Sequence, residues 1–351
     1  MVEDIMERKD IIHALAILGD SMKKWGENSE LKEFNPFVGN DYYEKMNELI
    51  LKSKAFNGWF TEVVVRSSLY AFGQQLNEKG LTDWTNQYPI AKTPKKVGLI
   101  LAGNIPLVGF HDILSTLLSG HVAHVKLSSD DRHLIPILVE ILGTLQPSIQ
   151  SSIQFVDRLN DVDVLIATGS DNTSRYFKKY FGHIPNIIRK NRTSVAVLTG
   201  NESKEEVKAL GKDLFQYFGL GCRNVSHLLL PKGYDLDQIF GAIVDYGEII
   251  NHHKYANNYD YYKAIYLMNE EKLIENGFVL TRESKDLFAP IAVLHYHFYD
   301  SQEEANSYLK ENKDKIQVVI GKEYTSFGNA QHPALDDYAD GVDTMKFLTE
   351  H

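Results

Sequence analysis

Apolar positions recur at helical spacing through the first 95 residues of this 351-residue chain. Ile11, Leu15, Leu18 and Met22 share one helix face, Met46, Leu49 and Ile50 mark a second helix, and Val63 to Leu76 continue the pattern. Gly58, Gly73 and Gly80 punctuate this stretch. The segment from Tyr88 through Pro89 to Pro94 reads as a linker, because each proline holds the residue before it extended.

At Val97 the rhythm changes. Val97 to Ala102 is a continuous apolar run, expected for a strand buried on both faces. A turn at Gly103-Asn104-Ile105-Pro106 and a helix from Leu107 to Leu118 follow. His121 to Leu127 is the next strand, and Ser128 to Asp131 are expected to cap a helix through Leu142. Further strands are expected at Ile153–Val156, Val162–Ala167, Ile184–Ile188 and Val195–Leu198, with a helix from Gly169 to Phe181. Beyond them come a helix from Lys204 to Phe218, a strand at Val225–Leu230 and a helix from Leu236 to Tyr246. Strands at Ile291–Tyr296 and Ile316–Ile320 flank a helix from Ser301 to Asn312. Such alternation predicts an α/β fold with parallel sheets whose ligands lie at the carboxyl ends of strands. A second α/β lobe is expected to begin near Asn201, with a cleft between the lobes.

Composition narrows the class. Hydrophobic residues make up 43% and charged residues 24%, an ordinary globular mixture. The net charge of -10 argues against nucleic acid or an anionic membrane as partner. A single cysteine allows neither an internal disulfide nor a thiolate metal site, and no metal is expected. Met1 to Asp10 lack a signal-peptide core, and no apolar run approaches the roughly 20 residues of a spanning helix, so a cytoplasmic location is expected.

That cysteine, Cys222, lies in Phe218-Gly219-Leu220-Gly221-Cys222-Arg223-Asn224. Two readings are open: a thiol presented on a glycine turn for reaction, or a buried thiol that fills space. Four further clusters stand out. Asn104 could donate its amide to an oxyanion, or bond its own turn. Lys126 ends a strand, where it could reach ribose hydroxyls or simply be solvated. Gly169-Ser170 opens a helix, as an anion site or a plain cap. Asp286-Leu287-Phe288 places a carboxylate beside an aromatic ring, or is an ordinary loop. His252 and His253 are adjacent and so poorly arranged as a metal pair; His253 is a candidate proton donor. Neither a Gly-x-Gly-x-x-Gly fingerprint nor a phosphate loop is present.

In this order, Asn104, Lys126, Gly169 with Ser170, Cys222, and Asp286 with Phe288 resemble the aldehyde dehydrogenase superfamily over roughly residues 95 to 325. Arg189-Lys190-Asn191-Arg192-Thr193-Ser194 and Gly219 to Ser226 resemble more closely its acyl-CoA reductase branch, which includes the bioluminescence-type fatty acid reductases. The resemblance implies an NADPH-dependent reduction of an acyl thioester, from acyl-CoA or acyl carrier protein, to an aldehyde. Cys222 would be the nucleophile and Asn104 the oxyanion donor. Lys126, Ser129, Gly169, Ser170, Asp286 and Phe288 would hold the cofactor. It implies an aldehyde-dehydrogenase-like fold: residues 1–95 as a helical segment packed on the cofactor lobe, 96–200 as the NAD(P)-binding domain, 201–325 as the catalytic domain and 326–351 as a tail. A homo-oligomer would be in keeping with the superfamily. Hydrolytic members carry a glutamate near Ile188 to Asn191; here Arg189 and Lys190 stand there, which favours acyl transfer followed by reduction over oxidation to acid. Ser129 replaces a frequent glutamate and leaves room for a 2'-phosphate, favouring NADPH while NADH stays open. The alternatives are an acyl phosphate reductase, an aldehyde oxidiser, or a catalytically silent nucleotide-binding scaffold.

Overall fold

In the computed structural model, which describes residues 7–33 and 36–351, the chain folds into two units. One comprises the described residues up to Lys190 together with Ala334–His351; the other is Asn191–Pro333. The chain therefore passes to its second unit after Lys190, where the sequence placed the change near Asn201.

The first unit opens with four helices, α1 (Arg8–Glu27), α2 (Asn40–Phe56), α3 (Glu62–Gln75) and α4 (Glu78–Thr85). Ile11, Leu15, Leu18, Met22 and Trp25 bury one stripe of α1, as their spacing predicts. Helices α1 and α3 cross where glycines meet: a Cβ on Gly73 would lie 2.4 Å from the Lys23 nitrogen, and one on Gly19 would lie 2.1 Å from the Leu76 carbonyl oxygen. Beyond the linker run β1 (Lys96–Ile100), α5 (Phe110–Leu118), β2 (Val122–Lys126), α6 (Leu134–Leu145), α7 (Pro147–Ser152), β3 (Ile153–Phe155), β4 (Val164–Thr168), α8 (Asp171–Phe181) and β5 (Asn186–Arg189). The five strands form a parallel sheet in the order β3-β2-β1-β4-β5. Its core is continuous with that of the N-terminal helices. α6 starts at Leu134 with no cap from the His133 side chain; Ser128 to Asp131 form the loop before it and have further partners, described below.

The second unit runs β6 (Thr193–Val197), α9 (Lys204–Phe215), β7 (Val225–Pro231), α10 (Asp237–Ala242), α11 (His253–Met268), β8 (Ile274–Glu275), β9 (Leu280–Glu283), β10 (Val293–Tyr299), α12 (Gln302–Glu311) and β11 (Ile316–Ile320). Its six-stranded sheet has the order β11-β6-β7-β10-β9-β8, parallel except for the β8–β9 pair. A capping box of Ser203 and Glu206 starts α9. That helix stops at Phe215, short of the expected Phe218, because Tyr217, Phe218 and Gly219 take left-handed φ of 55°, 58° and 77°. The helix expected over Leu236–Tyr246 is split, with α10 followed by a 3-10 stretch, Val244–Asn251. The tyrosine-rich segment after His252 is helical, and Tyr255, Tyr259 and Tyr266 are its buried positions.

Within residues 334–351 the helix α13 (Thr344–Glu350) buries Met345 and Leu348 in the first unit's core. Polar contacts fix the whole segment there. His111 Nε2 bonds the Leu335 carbonyl at 2.8 Å, Trp84 Nε1 donates to the Tyr338 hydroxyl at 2.7 Å, and His121 Nε2 bonds the Leu348 carbonyl at 2.9 Å. No helix among the described residues is long and apolar enough to cross a membrane.

Candidate active site

In the first unit, Ile100 at the end of β1 is in register with Lys126 on β2 and Ala167 on β4. The segments that follow these strands therefore leave the sheet along one edge, at the point where strand order reverses between β1 and β4. Asn104, exposed, lies in the turn after β1. Lys126, exposed, ends β2, and Ser129, exposed, is on the loop that follows. Gly169 and Ser170 follow β4, and the Ser170 hydroxyl caps α8 by accepting the Thr173 N–H at 3.2 Å. The fold thus brings together the sequence-predicted residues that belong to this unit. A cation, hydroxyls and a helix N-terminus at the carboxyl edge of a parallel sheet suit a dinucleotide.

The Asn104 turn is supported from two sides. Ser68 Oγ, on α3, donates to the Pro106 carbonyl at 2.6 Å. Asp131 Oδ2 accepts the Leu107 N–H at 2.8 Å. A Cβ on Gly103 would fall 2.5 Å from Ser128 Oγ, so only glycine lets the turn lie against the Ser128–Asp131 loop.

Arg189, which the sequence resemblance sets near the position of a glutamate in hydrolytic members, is committed to this unit's interior. Its guanidinium grips Asp112 of α5 with bonds of 2.6 and 2.9 Å and donates to the Thr344 hydroxyl at 3.1 Å. Both partners of the pair are almost fully buried. The residue thus anchors α13 rather than facing a substrate.

In the second unit, Cys222 is half-buried on the turn between α9 and β7. Asn224 builds that turn. Its Oδ1 accepts the Gly221 N–H at 2.9 Å, and its Nδ2 donates to the carbonyls of Gln216 at 2.8 Å and Asp213 at 3.1 Å. Ser194 Oγ donates to the Cys222 carbonyl at 3.0 Å. Asp213, buried on α9, accepts the N–H groups of Gly328 at 2.6 Å and Ala330 at 2.9 Å; burial pushes its carboxyl up to about 6. The Phe218 ring stacks on His252, with centroids 4.3 Å apart. His253 is exposed on the first turn of α11, so of the adjacent histidines it is His252 that packs beside the cysteine turn. Phe218, Gly219, Tyr255, Ala289 and Pro290 help to line a cavity of about 40 Å³, room for little more than water.

Asp286 and Phe288 lie on the β9–β10 connection with both side chains exposed. The backbone beneath them is held firmly. Ser226 Oγ donates to the Leu287 carbonyl at 3.0 Å and contacts Thr193 Oγ1 at 2.7 Å, beside the Cys222 turn. The Asp286 carbonyl takes hydrogen bonds from His227 Nδ1 at 3.0 Å and His295 Nδ1 at 2.9 Å. A carbonyl only accepts, so both rings carry their proton on Nδ1. His227 Nε2 is then an acceptor, for His297 Nδ1–H at 2.7 Å. Burial pushes His227 down to about 3, against the partial support of the Asp286 carbonyl.

The sequence reading gave no role to Asn224 or these histidines, and gave Asp131 only a place in a helix cap. One signal was present for the last: His295 and His297 are two apart on a strand, so they share a face. Among the described residues no group of three or more His, Cys, Asp or Glu is placed to hold a metal ion.

Solved structures similar to this chain include aldehyde dehydrogenases. The Mycobacterium tuberculosis enzyme complexed with NAD+ is 15% identical, with a TM-score of 0.59 over 85% of this chain and 70% of that one. Aldehyde dehydrogenase 21 from Physcomitrella patens, complexed with the reaction product succinate, is 12% identical, with a TM-score of 0.64 over 98% and 84%. The glyceraldehyde-3-phosphate dehydrogenase GapN from Methanocaldococcus jannaschii, complexed with NADP, is 15% identical, with a TM-score of 0.59 over 90% and 81%. No curated protein sequence matches the chain. The model of the family described as acyl-CoA reductase (LuxC) matches residues 15–231, a span that takes in the N-terminal helices, the first sheet and the Cys222 turn. This protein is a member of the acyl-CoA reductase (LuxC) family, an oxidoreductase of acyl and aldehyde groups built on the aldehyde dehydrogenase fold.

Proposed function

We propose that the protein reduces an acyl thioester, carried by coenzyme A or an acyl carrier protein, to an aldehyde through an acyl-enzyme on Cys222. The observation that carries this reading is the setting of Cys222: half-buried on a turn that Asn224 closes, rather than packed in a core. A thiol so presented can form its thiolate and attack. The Cys222 sulfur bonds to the thioester carbonyl carbon, and the carbonyl electron pair moves to oxygen. The Asn104 side-chain amide and the Cys222 N–H are assigned to hold that oxyanion. Its collapse expels the carrier thiol and leaves the acyl group on sulfur.

The first unit's edge fits a nicotinamide dinucleotide, with Lys126 for ribose, and Gly169 and Ser170 at the start of α8 for phosphate. When bound, the nicotinamide would supply the hydride that reduces the acyl carbon; the carbon–sulfur bond to Cys222 then breaks, releasing the aldehyde and returning the sulfur as thiolate. Ser129 and the exposed Arg132 on the same loop favour the 2'-phosphate of NADPH. Asp286 is assigned to the second ribose, and Phe288, 43% exposed, to the cofactor's rings. His253 is assigned the proton for the departing thiolate or the aldehyde oxygen. The resemblance supports hydride transfer over hydrolysis, since residues 189 and 190 offer no carboxylate to activate water; the Arg189 side chain itself is taken up by Asp112.

The test is Cys222→Ala. Intact-protein mass spectrometry should show acyl adducts on the wild type after incubation with acyl-CoA and none on C222A, with NADPH binding retained. Adducts that survive the substitution would remove Cys222 from the mechanism.

A further inference from the structure

We infer that Asp131 is a positioning residue that locks the Asn104 turn and ties it to the loop carrying Ser129. The inference rests on the oxyanion role proposed for Asn104.

Leu107, which closes the turn, is fully buried and has a left-handed φ of 62°, unfavourable for a leucine. Something must hold it there. Its N–H has no helical partner, since α5 begins only at Phe110. The Asp131 carboxylate accepts that N–H at 2.8 Å from a site where the residue is only 3% exposed. A charge-assisted bond to backbone is among the stronger ones, and it also satisfies a donor that would otherwise be buried without a partner.

The loop that supplies Asp131 is itself anchored to the N-terminal helices. Asn57 Nδ2, at the end of α2, donates to the Asp130 carbonyl at 3.2 Å, and the Phe56 and His133 rings lie 4.2 Å apart. The turn is anchored there too, through Ser68 and Pro106. Asp131 is the side chain that joins the two. An oxyanion donor works only if its position is fixed before the reaction. The other carboxylate oxygen, Oδ1, is buried with no hydrogen-bond partner. A side chain kept for stability alone would be better made neutral at such a place.

The experiment is a double-mutant cycle on single-turnover acyl-enzyme formation, with Asn104→Ala, Asp131→Ala and both together. N104A should slow acylation on the order of 100-fold, as removal of one oxyanion donor does elsewhere. D131A should slow it about 10-fold, and the double variant should be no slower than N104A. D131N, which keeps one carbonyl acceptor, should restore most of the rate. Alkylation of Cys222 by iodoacetamide should stay unchanged throughout. If D131A matches wild type, or its effect multiplies with that of N104A, the inference is overturned while the oxyanion assignment stands. If N104A leaves acylation unchanged, the oxyanion assignment falls and takes the inference with it. Should D131A not fold, hydrogen exchange at the Leu107 amide of the wild type decides: strong protection is expected, and fast exchange overturns the inference.

Discussion

The Asn224 side-chain oxygen accepts the Gly221 N–H at 2.9 Å, and so closes from below the turn on which Cys222 stands. The same carboxamide holds carbonyls at the end of α9, where three successive residues are left-handed. It therefore fixes both the cysteine's backbone N–H and the strained entry to it.

Replacing Asn224 by alanine leaves several buried backbone groups unpaired. The second unit should lose about 2 to 4 kcal/mol, and acyl-enzyme formation should fall at least 10-fold. Urea denaturation and intact mass spectrometry give the two readings. Wild-type acylation in N224A would show that the turn holds its shape unaided.

Arg189 and Asp112 form a buried bidentate pair. Breaking it by Arg189→Leu or Asp112→Leu should each destabilise the first unit by roughly 3 to 5 kcal/mol, because one buried charge is left alone. The double substitution should cost much less than the sum. Additive losses in urea midpoints would contradict a direct pairing.

Burial pushes the Asp131 carboxyl up to about 6, with the Leu107 and Leu134 N–H groups pulling it partly back. The folded state then holds the proton more tightly than the unfolded state. Its contribution to stability therefore grows as pH falls from above 6 towards 4, and is lost as pH rises. Asp131→Asn has no such dependence. The stability of D131N relative to wild type should accordingly improve by roughly 2 kcal/mol between pH 4.5 and pH 7.5. A pH-independent difference between their urea curves would contradict this assignment.

His227 has the opposite sign. Its folded value, about 3, lies below the ordinary 6.5, so the unfolded state takes up the proton first and stability falls as pH drops below 6.5. Protonation would also convert Nε2 from acceptor to donor and break its bond with His297. His227→Phe should make the stability profile flatter between pH 6.5 and pH 4.5, and should raise the KM for the nicotinamide cofactor several-fold by releasing one anchor of Asp286. Thermal denaturation across that range and steady-state kinetics test the two halves separately.

Much of this architecture was legible in local sequence. The apolar run at Val97 is a buried strand because a strand between two layers needs no polar face. The glycines around Cys222 signalled a turn, and a turn is what they form. The helix from His253 was hidden because tyrosines, polar at their tips, supply its buried positions in place of an aliphatic stripe. The contacts of Asp131, Asn224 and Arg189 escaped for a different reason. Each takes its meaning from a partner brought near by the fold: Leu107 lies 24 residues from Asp131, and Thr344 lies 155 from Arg189. No periodicity encodes such pairs.

The return of Ala334–His351 to the first unit also sets an order of events during synthesis. Met345 and Leu348 fill that unit's interior, and Thr344 completes the surroundings of Arg189, yet all are translated after the entire second unit. A ribosome that has just released Lys190 has produced an apolar surface still awaiting its last helix. The nascent first unit must remain unfinished until the second has emerged.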